Sequence, residues 1–494
     1  MTGTVSRQRA TMTLPLAEEE AADYVQRGLA HLWVHNTNYL DLAKPGGMIV
    51  LAAADGIRLT DIHGTTYIDG MSGLWVVNAG HGRTELAQVA AEQMSRVAYV
   101  NTFAYTTLPA IDLAAKLAEI TPAGIERFFF VNSGSEAVET AIKMAQQWHY
   151  LRGDKKRTKI IARRGSYHGV TLAALSVNGS TYTNRAPFEP LSPNARFIAG
   201  INCYRCPYEK TYPACDVFCA RTYEDLIQFE RPESIAAIIA EPISTANGAF
   251  VPHQEYWQTL RRLCDRYGIL LIADEVINGF GRTGKWFGID HYGVTPDIMT
   301  TAKGLSSGYA PIACTMATRA VADVFAADKK STFSHGITFG THPVACAVAL
   351  ANVAILEREG LVENSARTGA YLLERLRELA GRHRIVGDVR GIGLMVQVEL
   401  VRNRETKEPF GEADDMATKI GGRLLERGLL CRAGRRSAWR RRWWRTARTW
   451  TRSWTSSTPP SPMRSTTWGC SMVSAPPPQG VSASRAIVSA GAGR

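Results

Sequence analysis

Between about residues 125 and 345, short apolar runs alternate with stretches of helical period. RFFFV (127–131), TKIIAR (158–163), SIAAIIA (234–240), GILLIAD (268–274) and DIMTTAK (297–303) are apolar at successive positions, so both faces of each need cover. Buried strands separated by helices predict a parallel sheet in an α/β domain. After the first run, Ala137, Ala141, Ile142 and Ala145 fall at helical spacing, predicting a helix that begins near Ser135. Ligands of such sheets sit outside the carboxyl ends of the strands. The polar residues of chemical interest all follow directly on these runs.

The flanks read differently. GIRLTDIHGTTYIDG (56–70) alternates and predicts a hairpin turning at His63-Gly64, after a leading helix. Two long helical patterns (343–357 and 366–380) and the strand GLMVQVEL (393–400) predict a smaller terminal domain. The expected division is an N-terminal segment over 1–70, a large domain over 71–342, a small domain over 343–433 and a separate tail over 434–494. At 494 residues, two or three domains are expected.

Charge isolates the tail. The chain carries a net +12, but residues 434–494 hold 11 Arg, 6 of the 11 Trp and no Lys, Asp, Glu or Leu. Taking those 11 arginines from the 57 basic residues leaves 46 against 45 acidic, so the body is nearly neutral. No period of 3.6 or 2.0 runs through WRRRWWRTARTWTRSW, and Pro- and Ser-rich stretches follow. Arginine interleaved with aromatics could bind nucleic acid or an anionic membrane. A reading-frame shift in GC-rich DNA produces the same composition in mid-domain and is the reading taken. Any nucleic-acid affinity is then an accident of charge.

No apolar run approaches the roughly 20 residues that span a bilayer, and none precedes Glu18-Glu19-Glu20. The expectation is a cytoplasmic protein with no membrane attachment. Nine cysteines then argue for reduced thiols rather than a disulfide scaffold. Cys203, Cys206, Cys215 and Cys219, spaced C-x2-C-x8-C-x3-C, either supply four thiolates to a structural zinc or form a cysteine-rich surface insertion. No metal is assigned.

Three segments carry candidate chemistry. In FVNSGSEA a strand gives way to a helix at Ser133-Gly134-Ser135, and the N–H groups of a helix start with a hydroxyl nearby form an anion site. The alternative is a simple N-cap. In ILLIADEV, Asp274 and Glu275 close a strongly apolar strand. A buried carboxylate needs a cationic partner, such as a protonated pyridine nitrogen, or it tends to protonate. Val276 falls on the same side as Asp274 and could pack on a flat ring. In DIMTTAKG, Lys303 follows a buried strand, and a desolvated lysine becomes a neutral amine able to form a Schiff base. The competing readings are a helix-capping acidic pair and a lysine reaching solvent.

SGSEA (133–137), Tyr167-His168-Gly169, Glu241-Pro242, Asp274-Glu275-Val276, Lys303-Gly304 and Thr338-Phe339-Gly340 occur in this order. The series resembles the class III (omega-type) aminotransferases of PLP fold type I, over about residues 20–433. The resemblance implies a large, mainly parallel-sheet domain and a smaller α+β domain built from both chain ends. It implies pyridoxal 5'-phosphate as cofactor and a homodimer with shared active sites. Lys303 would be the Schiff-base and proton-transfer residue, and Asp274 the partner of the ring nitrogen. Val276 and Tyr167 would cover the ring, with Glu241 supporting the network around Asp274. Ser133, Gly134 and Ser135 would hold the phosphate from one subunit and Thr338 from the other. Trp75 would wall the substrate pocket, and Arg432 would meet a substrate carboxylate.

The activity implied is ping-pong transfer of an amino group from an amine or amino acid to pyruvate or a similar keto acid. An aminomutase or racemase on the same scaffold is the alternative. The donor is left open among β-alanine, taurine, a diamine, GABA and an aryl amine. Family members continue past Arg432 with a strand, a Pro-Pro-Leu turn and a closing helix, all absent from this sequence.

Overall fold

Asp274 ends one strand of a seven-stranded sheet, and Lys303 lies two residues beyond the end of the neighbouring strand. The computed structural model describes residues 13–180 and 184–432. The tail over 434–494, expected from its composition to be aberrant, lies outside the described residues. Strands β1 (Leu51–Asp55), β2 (Arg58–Asp61) and β3 (Thr66–Asp69) precede the main sheet, which comprises β4 (Ile125–Val131), β5 (Lys159–Arg163), β6 (Ala195–Ile198), β7 (Ile235–Ala240), β8 (Leu270–Asp274), β9 (Ile298–Thr301) and β10 (Ala313–Thr318). Its order is β4-β10-β9-β8-β7-β5-β6.

The sheet is mainly parallel, as expected, with one strand reversed. β10 lies antiparallel between β4 and β9, so the sheet is mixed. Two antiparallel pairings in succession leave β4 running the same way as β9, and β5 to β9 are mutually parallel. The carboxyl ends of β4, β5, β7, β8 and β9 thus share one edge, the ligand edge of this architecture. Every residue of β7 and β8 is buried, as strands covered on both faces require. One face packs on the helix Gly134–Leu151 through Val138, Ala141, Ile142 and Ala145. The other packs on the helix Gln254–Tyr267, which buries Trp257, Leu260 and Leu263.

A smaller sheet joins distant parts of the chain. β1, β2 and β3 form an antiparallel meander, and β13 (Leu429–Leu430) adds to β3 in parallel. Between these ends in sequence lie the helices Pro343–Arg358 and Leu361–Arg382, then the two-stranded hairpin of β11 (Val386–Ile392) and β12 (Met395–Leu400). The helix Met416–Glu426 follows and buries none of its residues.

The four clustered cysteines lie in the loop Asn202–Val217 and the first turn of the helix Phe218–Glu230. All four are unpaired. Among the described residues no group of three or more His, Cys, Asp or Glu is arranged to hold a metal ion. Burial, with the neighbouring cysteines adding to it, pushes the Cys219 and Cys203 thiols up. No helix of the described residues is long and apolar enough to cross a membrane.

Candidate active site

The β4-to-helix junction shows how sequence sets the first wall. Ser133 is the N-cap of the helix Gly134–Leu151, its hydroxyl accepting from the Glu136 N–H at 3.3 Å while the Glu136 carboxylate accepts from Ser133 N. That capping box commits the Ser133 hydroxyl to the backbone and leaves the Ser135 hydroxyl to the pocket side, where it accepts from Val170 N at 3.1 Å. A Cβ on Gly134 would fall 2.8 Å from Val276 Cγ1, and one on Gly169 would fall 2.6 Å from Ser135 Oγ. Glycine at both positions keeps the space beside the helix start open.

Asp274, the last residue of β8, is 3% exposed and fixed by three donors. His168 Nδ1 donates to Oδ2 at 2.6 Å, while Thr300 Oγ1 and Val276 N donate to Oδ1 at 3.0 and 3.1 Å. The far nitrogen of the ring, His168 Nε2, is buried with no partner. Glu275 points away and accepts from Gly288 N and Ile289 N at 2.8 and 2.7 Å; burial pushes its pKa up to about 8. Adjacent carboxylates thus have separate tasks, one lining the pocket and one pinning a loop.

Lys303 follows β9 and is half-buried, with a backbone φ of +46°. Desolvation lowers its amine to about 8, with Asp274 opposing and Arg282 adding to the drop. Glu241 follows β7 directly and is buried. Its carboxylate accepts from Tyr167 N at 3.4 Å and meets Arg163 NH2 at 3.3 Å, and desolvation raises its pKa. Ser133, Gly134, Ser135, Tyr167, His168, Glu241, Asp274, Val276 and Lys303 line one cavity of about 120 Å³.

Three of the residues named from sequence lie elsewhere. Thr338 is exposed and outside that cavity, its carbonyl accepting from Tyr99 OH at 2.7 Å. Trp75 and Arg432 line a larger, open cavity of about 1510 Å³. Trp75 has φ +58° in a turn whose start is held by Asp69, which accepts from Gly73 N at 2.7 Å and from His81 Nε2 at 2.9 Å. The Arg432 charge opposes the rise that burial and Asp274 give the Tyr167 hydroxyl. Sequence reasoning named His168 only as part of a tripeptide and missed Arg163, Asn78 and Arg282. Each is a polar residue whose partner lies 78 or more positions away.

A family profile for class-III aminotransferases matches residues 42–441. The chain is similar to the taurine–pyruvate aminotransferase of Bilophila wadsworthia, 39% identical, with 83% of this chain and 89% of the relative covered. It is 39% identical to the putrescine–pyruvate aminotransferase of Pseudomonas aeruginosa, over 76% of this chain and 81% of that one. An amine transaminase from an uncultivated Pseudomonas species, solved in its PLP-bound form, superposes with a TM-score of 0.77 at 38% identity. That match covers 82% of this chain and 91% of the other.

Proposed function

The chain belongs to the class-III aminotransferases, and from that premise we propose that it carries the amino group of a small amine or amino acid to pyruvate or a similar keto acid. The observation that carries this reading is the half-buried Lys303 amine sharing one cavity with the anchored Asp274–His168 pair. Pyruvate as acceptor is supported by two relatives with different donors and that one acceptor in common.

Class-III aminotransferases depend on pyridoxal phosphate, and the residues present fit that group. The space a Cβ on Gly134 or Gly169 would fill lies beside a helix start, whose N–H groups suit a phosphate. When bound, pyridoxal phosphate supplies an electrophilic aldehyde carbon and an electron-accepting ring. Gly134, Ser135 and the backbone at Ser133 would hold its phosphate, and Asp274 its ring nitrogen, with His168 keeping that carboxylate aimed. Tyr167 and Val276 would pack on the ring, and Glu241 would steady Tyr167 through its N–H. Lys303 Nζ would hold the aldehyde end. Being neutral above about pH 8, it can then take the proton that leaves the substrate carbon. Trp75 and Arg432 would bound the substrate space, and a guanidinium suits a carboxylate there.

The active form is a homodimer in this reading. Tyr99, Phe103 and Phe339 expose aromatic surface beside Thr338, with Phe103 70% and Phe339 57% exposed. A second copy seated there would bring Thr338 to the other subunit's phosphate site. The eight unpaired cysteines among the described residues fit a reducing, cytoplasmic setting.

The test incubates the purified holoenzyme with pyruvate and each of taurine, a diamine, β-alanine and an aryl amine, measuring alanine. Alanine from at least one donor is expected. None from any donor, with pyridoxal phosphate bound, overturns pyruvate as acceptor. Sedimentation as a monomer under the same conditions would remove the shared-site reading.

A further inference from the structure

The turn that carries Lys303 is held from outside the cofactor pocket. Its φ of +46° is a left-handed conformation that costs a residue with a Cβ about 1–2 kcal/mol, so neighbours must enforce it. Two asparagines do so. Asn352, fully buried on the helix Pro343–Arg358, donates to the carbonyls of Gly304 and Leu305 at 2.9 and 3.0 Å. Asn78 lies so close to Gly304 that a Cβ there would fall 2.3 Å from its amide nitrogen. The same nitrogen donates to the Phe280 carbonyl at 2.8 Å.

The Asn78 side-chain oxygen is taken by the Arg282 guanidinium. Arg282 is 9% exposed, its Nε has no hydrogen-bond partner, and no ion pair involves it among the described residues. A buried guanidinium with no carboxylate at ion-pair distance is costly, and two contacts hold the backbone of the residue that carries it. Its backbone carbonyl accepts from Ser365 Oγ at 2.8 Å, on the helix Leu361–Arg382, and from Leu394 N at 3.0 Å, in the turn between β11 and β12. One residue therefore links the lysine turn to the terminal region.

We propose that Arg282 is a positioning residue for Lys303: through Asn78 its guanidinium fixes the turn that carries the amine. The proposal rests on Lys303 being the cofactor-bearing residue. Asp274, Glu241, His168 and Tyr167 line the pocket with Lys303, and Asp69 acts on Arg282 from the other side. Arg282 is the cation that acts on the amine; Asp274 is the anion that opposes it.

The experiment uses full-length holoenzyme and follows the absorbance of lysine-bound pyridoxal phosphate against pH, together with the rate at which apoenzyme regains that absorbance. Arg282→Gln is expected to raise the absorbance midpoint by about one pH unit, a roughly tenfold change in the protonation equilibrium, and to slow reconstitution. Arg282→Lys keeps the charge but loses the fork, so its midpoint stays near the parent's while reconstitution is slowed. Asn78→Ala, at a half-buried position, slows reconstitution as well and serves if Arg282→Gln does not fold. An unchanged midpoint and rate in Arg282→Gln overturns the proposal, as does an unchanged rate in Asn78→Ala. Failure of the underlying reading looks different: borohydride would then fix no pyridoxal phosphate to Lys303 of the parent protein.

Discussion

β7 and the helix Met416–Glu426 carry apolar patterns of equal clarity and meet opposite fates. All six residues of β7 are buried, between neighbouring strands and two layers of helix. The helix sets Met416, Ile420 and Leu424 on one stripe at i, i+4 and i+8, yet buries none of its residues. That stripe lines the cavity of about 1510 Å³, with Leu372 and Leu376 of the preceding long helix. The difference teaches what a pattern specifies. It fixes which face needs cover; burial also requires a second surface, and among the described residues the stripe has none. The proposed chemistry sits in the completed region, and Arg282 is where the two regions meet.

The largest expected effect tests that placement. Lys303→Ala should lower transamination by about three orders of magnitude or more, the scale of losing a positioned proton-transfer group. Its melting temperature should stay close to the parent's, because the amine is held at a desolvation cost. Activity within tenfold of the parent would remove Lys303 from the reaction.

The next effect asks whether the open cavity is a missing partner. Replacing residues 433–494 by a strand and an amphipathic helix that cover the stripe should raise stability by several kcal/mol, since about 300 Å² of apolar area at about 25 cal/mol per Å² is close to 7 kcal/mol before ordering entropy is subtracted. Differential scanning fluorimetry reads it directly. An unchanged transition would mean that the cavity needs no cover. A matched pair of truncations sharpens the contrast at single residues. Ile238→Ala in β7 removes a side chain with no exposure and should cost about 2–5 kcal/mol. Ile420→Ala, at a half-buried position, should cost about 1 kcal/mol or less. Equal costs in urea denaturation would erase the distinction between the regions.

The same distinction explains what could be read from the sequence. Five strands of the main sheet were legible because continuous apolar runs end on a charge or, for β4, on the polar Asn132. β10 was not, since ACTMAT mixes small and polar residues; the burial of Thr315 is made tolerable by its hydroxyl donating to the Ala137 carbonyl at 2.8 Å. β11 was hidden by Gly387 and Gly391 within it. Asp274 and Lys303 stood out because each is a charge closing an apolar run. His168, Arg163 and Arg282 did not, because a polar residue's meaning lies in its partner. The partner of His168 is 106 positions away, and that of Arg282 is 204. Periodicity reports faces and says nothing about pairs.

The smallest effect contrasts two acids, one in each region. Burial raises Glu275 to about 8, whereas the hydrogen bond from Arg402 holds the half-buried Asp414 below its usual range. The signs are opposite. Glu275 binds its proton more tightly folded than unfolded, so between about pH 4.5 and 8 stability falls as pH rises, and the loss is complete above 8. Asp414 binds its proton less tightly when folded, so its contribution is present above the unfolded pKa and fades as pH falls through the lowered one. Glu275→Gln should therefore gain stability relative to the parent as pH rises from 5 to 8 and keep that gain above 8. Asp414→Asn should lose ground only above about pH 4 and by an amount that salt reduces. Thermal transitions recorded at pH 3, 5, 7 and 9 separate the two. A Glu275→Gln difference that does not move with pH would mean that water reaches the end of β8, and that the completed region is less dry than its packing implies.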